Sequence, residues 1–375
     1  MEPQDLARRA AELLDTAAAG DWRGSDPYDG LWWSWPAFLR GGRRRRQAIA
    51  QLHARSPFDF RRLYRAERPL IPKALGVFGS VGVRLRRLTG DERFARLALD
   101  ALTRLDGDRE AGPEAWGYHW DVQTRWSFYP GGSPNVVVTA FAAKGLAEGA
   151  AELGGDQNRF IARAREAARW TLETLYLPER GYFAYHPGSE TLIHNASLLG
   201  ARMVHGLLPP GTATDEVRSA VERTLAAQSS DGSWPYGEGM AFVDSFHTGY
   251  VLDCLCALRD VDPAVDDAVR RGADYYAERF FDADGSARLW PNRRYPLDGH
   301  SAGTGLTSLS TLLRRGFADR DLLARVAERT AADVVRGGHA VFRRYRLGRS
   351  TVRYVRWCDA HVSLGLADAA EVLRT

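Results

Sequence analysis

Six times along this chain a segment rich in Gly, Ala and Ser begins at or beside a polar residue. The starts are Pro72 (PKALGVFGSVGVRL), Asn135 (NVVVTAFAAKGLAEGA), His194 (HNASLLGARMVHGL), Asp244 (DSFHTGYVLDCLCAL), Asp298 (DGHSAGTGLTSLSTLL) and Asp359 (DAHVSLGLADAAEVL). They lie about 50 to 63 residues apart, a period that belongs to repeat architectures. Between them run charged, alanine-rich amphipathic stretches over Asp91 to Leu105, Asp156 to Leu175, Thr214 to Gln228, Asp262 to Phe280 and Asp319 to Arg336. Small residues let helices approach closely, and a helix with one charged face belongs beside water. The pattern therefore predicts an inner and an outer layer, an all-α (α/α)6 toroid of six helical hairpins over residues 66–375. Short runs such as 181–185 and 341–346 have strand-like composition and are expected as small β-hairpins at the rim.

Residues 1–65 are expected as an N-terminal helix followed by an aromatic and basic cap. Leu6, Ala10, Leu13, Leu14 and Ala17 have helical spacing. The stretch DPYDGLWWSWPAFLRGGRRRR then sets three tryptophans beside four consecutive arginines, Arg43 to Arg46. Such a segment, Trp32 to Arg46, suits peripheral contact with an anionic membrane surface. It equally suits a lid whose aromatics plug one end of the ring, and that reading leads because such stretches more often complete a core.

Charge argues against nucleic acid as a partner. Only Lys73 and Lys144 are lysines, but the 51 basic residues are scattered and nearly matched by 47 acids, so no basic groove stands out beyond Arg43 to Arg46. No export signal or membrane-length apolar run is visible, and three cysteines make no disulfide framework, so a cytoplasmic location is expected. HExxH, HxxxH and CxxC runs are missing, as are a phosphate loop, a serine elbow and a dinucleotide fingerprint, so no metal or cofactor is expected.

If the six inner helices point their N-terminal ends toward one mouth, exposed N–H groups and polar starts would line a funnel there. The loop WGYHWDVQTRWSFYPGGSPN supplies Trp116, Trp120 and Trp126 as flat platforms, with His119, Asp121 and Arg125 as polar partners. That mixture suits the C–H faces and hydroxyls of a sugar; the tryptophans packing loop to loop, with Asp121 pairing Arg125, is the competing reading. Trp234 and Tyr236 of DGSWPYGE offer a second aromatic loop. Asp244 and His247, three apart, share a helix face, and a carboxylate beside an imidazole prepares it for proton transfer. Asp is also the usual N-cap; against capping alone stands the recurrence of the pair as His194 with Asn195, Asp298 with His300, and Asp359 with His361. The expected catalytic set is His247, His300, Asp244 and Asp121. Lys73, Arg125, Arg293, Arg294 and Arg356 are candidates for gripping an anionic group, against the competing readings of a solvated lysine and of structural ion pairs.

Two resemblances follow from these motifs. QSSDGSW is similar to the glutamine-tryptophan motif of triterpene cyclases, but neither Asp-x-Asp-Asp nor Asp-Asp-x-x-Asp is present, which ranks terpenoid cyclisation last. DPYDGL, PKALGVF, RLTGDERF, WGYHWDVQTR, HNASLLGA, DGSWPYGE, VDSFHTGYVLD and RYPLDGHSAG together resemble a group of bacterial and archaeal proteins from polysaccharide-biosynthesis loci. That group often carries the label delta-aminolevulinic acid dehydratase. The label implies a (β/α)8 barrel, and the alternating pattern of one is not found here. The resemblance implies instead an (α/α)6 toroid in a carbohydrate context, like sugar epimerases, uronate lyases and glycoside hydrolases. It carries as expectations an epimerase-like or lyase-like proton transfer on a sugar or uronate glycan, glycoside hydrolysis by paired carboxylates, and a non-catalytic glycan-binding role.

Overall fold

The computed structural model describes residues 1–32, 41–56, 58–59, 61, 68–110, 112, 114–124, 127–154 and 157–374. The chain is an (α/α)6 toroid. Inner helices are α3 (Pro72–Thr89), α5 (Val136–Glu152), α7 (His194–Leu207), α9 (Ser245–Ala257), α11 (Gly299–Arg314) and α13 (His361–Arg374). Outer helices are α1 (Pro3–Ala19), α4 (Glu92–Gly107), α6 (Gln157–Leu175), α8 (Thr214–Ala226), α10 (Val265–Phe280) and α12 (Arg320–Arg329). The short α2 (Arg43–Arg55) lies outside both layers, bonding through Arg46 and Gln47 to Gln123 and Thr124. Each inner helix packs on the next, and α13 returns to α3 to close the ring. Helix α1 takes the outer place beside α13, where Ser363 donates to the Ala10 carbonyl at 2.8 Å.

The layers follow from composition. Outer helices bury one stripe, as α4 does with Phe94, Ala98, Ala101, Leu102 and Leu105. Inner helices are buried nearly all round, and glycine sets how close they come. A Cβ on Gly303 would stand 2.5 Å from the His361 backbone, and one on Gly145 would stand 2.3 Å from the Gly76 carbonyl oxygen. Among the described residues side-chain caps start five helices: Asp91, Asn135, Asp244, Asp298 and Asp319 each accept from a backbone N–H two or three residues on. Asp359 departs from that pattern. It falls within a π-helical turn over Val355–Ala360, and α13 begins two residues later.

Strands are confined to short rim pieces. β1 (Val122–Gln123) pairs with β2 (Phe128–Tyr129), β3 (Tyr176–Leu177) with β4 (Tyr182–Phe183), and β7 (Val335–Arg336) with β8 (His339–Ala340). β5 (Arg288–Trp290), β6 (Arg293–Asp298) and β9 (Arg343–Arg344) make one three-stranded antiparallel ribbon that delivers the chain into α11. No helix of the described residues is long and apolar enough to cross a membrane. Trp32 is half-buried; residues 33–40 of the proposed surface-contact segment lie outside the described residues.

Candidate active site at the N-terminal mouth

Asp244 does two jobs at the start of α9. Its Oδ1 accepts from the His247 backbone N–H at 3.0 Å, capping the helix, while Oδ2 lies 2.7 Å from His247 Nδ1. That contact assigns the proton to Nδ1 and leaves Nε2 as the basic nitrogen. Among the described residues Nε2 meets no hydrogen-bond partner, and the His247 side chain is 24% exposed against 4% for Asp244. An aromatic wall leads outward from the imidazole. Tyr236 lies 4.5 Å from the His247 ring, Phe242 stacks on Tyr236 at 4.7 Å, and Trp290 meets Phe242 edge-on at 6.2 Å. Arg293 covers the outer end, its guanidinium 5.1 Å from the Trp290 ring.

His194 and Asn195 join this site from α7. They share a cavity of about 10 Å³ with Trp234, Tyr236, Phe242, Asp244 and His247, roughly the room for one water. His194 Nδ1 lies 3.3 Å from Thr224 Oγ1, and burial holds its pKa down at about 4. Asn195 Oδ1 is buried with no hydrogen-bond partner among the described residues.

His300 sits deeper than expected of a catalytic base. Only 1% exposed, it donates from Nδ1 to the Trp357 carbonyl at 2.6 Å and accepts at Nε2 from the Tyr250 hydroxyl at 3.0 Å. Both nitrogens are engaged, so His300 orders Tyr250 and Trp357 and is not placed to take a proton from a bound molecule. Burial, then the Lys73 charge, pushes its pKa well below the usual imidazole range. Lys73 lies in the same plug, above the rings of Phe141 at 4.1 Å and Tyr250 at 5.2 Å, and donates to the Tyr250 hydroxyl at 3.4 Å. Burial depresses this amine strongly as well. It is no exposed anion grip.

The remaining sequence candidates are structural in their contacts. Asp121 accepts from Gly131 N–H at 2.9 Å and braces its own loop. Asp298 caps α11 and pairs with Arg343 at 3.0 Å, while Asp359 accepts from Ala340 N–H and Arg353 at 2.8 Å each. Burial raises both carboxyls, that of Asp359 to about 6. Arg356 is buried against Asp26, its guanidinium 5.0 Å from the rings of Tyr118 and Trp357. Trp116 and Trp234, expected as stacking platforms, are core side chains whose Nε1–H groups donate to the Leu105 and Thr224 carbonyls at 3.1 and 3.0 Å. Trp120 is equally buried, stacked on Tyr118 at 5.3 Å. His119 faces Asp108 at 3.0 Å and Glu110 at 3.4 Å; burial disfavours its charge, but those acids outweigh it and its pKa rises. Arg125 and Trp126 lie outside the described residues.

Among the described residues no group of three or more His, Cys, Asp and Glu converges as a metal site would require. Sequence reasoning missed Tyr250, though its signal was present, one helical turn after His247 on the same face.

No family model matches the chain, and no curated protein sequence matches it. Solved structures do share its fold. An unsaturated glucuronyl hydrolase specific for heparin aligns with TM-score 0.62 at 11% identity, over 82% of this chain and 89% of that one. Cellobiose 2-epimerase from Bacillus thermoamylovorans aligns with TM-score 0.60 at 12% identity, over 80% and 87%. The Lin0763 protein of Listeria innocua aligns with TM-score 0.64 at 10% identity and spans 99% of this chain and 97% of its own. At such identities the likeness establishes the ring of hairpins.

Proposed function

We propose that the chain is a carbohydrate-active enzyme performing epimerase-like or lyase-like proton transfer on a sugar or uronate glycan, in the assembly of cell-surface polysaccharide. One observation carries this reading: the Asp244–His247 pair, whose partly exposed imidazole keeps Nε2 without a hydrogen-bond partner among the described residues at the foot of an aromatic wall. A positioned imidazole with its other nitrogen bound to a carboxylate is poised to abstract a proton near neutral pH. Tyr236, Phe242 and Trp290 supply faces for sugar C–H groups, and Arg293 supplies a fork for the carboxylate whose neighbouring C–H is acidified. Two of the three fold neighbours just described are named for action on sugars, which supports the substrate class.

Hydrolysis ranks second because it needs two available carboxylates across a glycosidic bond. Asp298 is committed to Arg343 and its helix, and Asp121 to its loop. The test is incubation with uronate oligosaccharides in D2O, with NMR reading deuterium at the carbon beside the carboxylate. Incorporation by the native chain, lost in His247→Ala while intrinsic tryptophan fluorescence still reports binding, is the expected result. Elimination by the lyase route would instead leave a new carbon–carbon double bond beside the carboxylate as it expels a reducing end, and supports the same reading. Release of reducing ends with neither deuterium nor that double bond would replace it by hydrolysis, and binding without turnover would make the chain a glycan-binding module.

A further inference from the structure

The plug that closes the N-terminal mouth from below, Tyr250 with His361 and Phe141, is also the floor of a second space. On its far side the bore widens into a cavity of about 200 Å³ walled by five of the six inner helices. It reaches half-exposed Arg202 and exposed Gly206 near the C-terminal end of α7. None of His247, Asp244 and Tyr236 lines it.

Its charged wall is balanced and fixed. Lys144 and Arg202 face Glu148 and Asp253, two cations to two acids. Glu148 is held from behind by Arg84, at 2.9 and 3.2 Å, and stands 3.8 Å from Lys144 Nζ. Asp253 accepts from Ser308 through Oδ2 at 3.1 Å, but its Oδ1, in a side chain nine-tenths buried, has no donor among the described residues. His361 Nε2, also on the wall, is buried without a hydrogen-bond partner among the described residues. Buried polar atoms are normally satisfied, so these two call for a group from within the cavity. Phe141, which packs edge-on against His361 at 5.3 Å, together with Leu199, Met203 and Leu364 adds apolar surface to the same wall.

We propose that this cavity is a second ligand site, separate from the rim site, for one neutral polyhydroxylated molecule of monosaccharide size. An anion entering it meets Glu148 and Asp253, and a cation meets Lys144 and Arg202, so either gains on one side what it loses on the other. Hydroxyl groups both donate and accept, which matches a wall alternating donors with acceptors. A ring bearing them also has C–H groups to set against the apolar lining.

Calorimetric titration of the full chain with D-glucose, D-mannose, D-galactose and myo-inositol tests this. The expected result is saturable one-to-one binding of at least one of them. That binding should weaken by about tenfold or more when a buried partner is lost in Asp253→Leu, and stay unchanged in His247→Ala. Arg202→Ala, at a half-exposed position, gives the same reading should Asp253→Leu not fold. No saturable binding, loss in His247→Ala but not in the cavity variants, or glucuronate binding that is tighter than that of glucose and is weakened by the cavity variants would each overturn the proposal.

Discussion

Asp244 shows how one side chain serves fold and chemistry together, and the two roles separate by substitution. Asn caps a helix about as well as Asp, so Asp244→Asn should change unfolding free energy by less than about 1 kcal/mol. Its amide, however, offers a donor or a weaker acceptor where Oδ2 now meets Nδ1–H, which disturbs the tautomer that frees Nε2. Turnover should fall by about 10²–10⁴-fold; a kcat loss with an unchanged urea midpoint is the expected pattern. His194 makes a different prediction, about pH. Its folded pKa, about 4, lies below the ordinary 6.5, so the unfolded chain takes up the proton first as pH falls. Stability contributed by keeping this imidazole neutral is full above 6.5 and is lost progressively toward 4. The difference corresponds to about 3 kcal/mol. Urea unfolding of His194→Gln between pH 7 and pH 4 should accordingly show a shallower acid limb than the native chain.

At the scale of elements, much of the ring was legible because its signals are local. Acidic caps, small-residue faces and charged outer stripes each act within one or two helical turns, and they place five inner helix starts within one residue of the observed ones. Asp359 broke the pattern because the π-helical turn before α13 shifts the start, and local propensity does not encode that turn. The direction of the indoles was illegible for a related reason. Whether Trp116 faces a groove or the Leu105 carbonyl depends on how two hairpins meet. The Asp-His recurrence likewise looked uniform in sequence, yet only at α9 do acid and imidazole bond to each other; at α11 and α13 Arg343 and Arg353 claim the acid. Close approach of inner helices gives this scale its prediction. Gly303→Ala drives a methyl into the His361 backbone, which no rotamer change relieves, and should cost about 1–3 kcal/mol despite alanine's better helix propensity. Gly107→Ala, at the exposed end of α4 with nothing within 4 Å of the new Cβ, should instead be neutral or gain up to about 1 kcal/mol. Thermal melts of the two variants shifting in opposite directions would check the packing account.

For the whole molecule, a ring of hairpins must join its first inner helix to its last, and that contact spans nearly the full chain. Here a buried ion cluster spans the joint. Arg84 of α3 holds Glu148 of α5 and Asp368 of α13 together, and its pKa is raised because those two carboxylates outweigh the cost of burying it. Nearer the surface, Arg87 repeats the arrangement with Glu152 and Glu371 at 2.7 and 2.6 Å. The two clusters look alike in outline and differ in environment. Removing the Arg84 charge leaves Asp368 in a low-dielectric joint without its counter-ion and Glu148 with Lys144 alone at 3.8 Å, so Arg84→Met should destabilise the chain by about 3–5 kcal/mol at neutral pH. Arg87 is half exposed and screened by water and salt, so Arg87→Met should cost about 0–1 kcal/mol. The sign of the pH dependence follows from Glu148, whose folded pKa the Arg84 charge helps hold below the usual carboxylate range against desolvation. Stability from that pairing is present above the unfolded carboxylate pKa and is lost as pH falls through the folded one, so the gap between native chain and Arg84→Met should narrow in acid. Paired urea titrations at neutral and acidic pH, with Arg87→Met alongside, would measure it. A gap equal for both arginines and unchanged with pH would mean that packing of α3 on α13, and not this cluster, closes the ring.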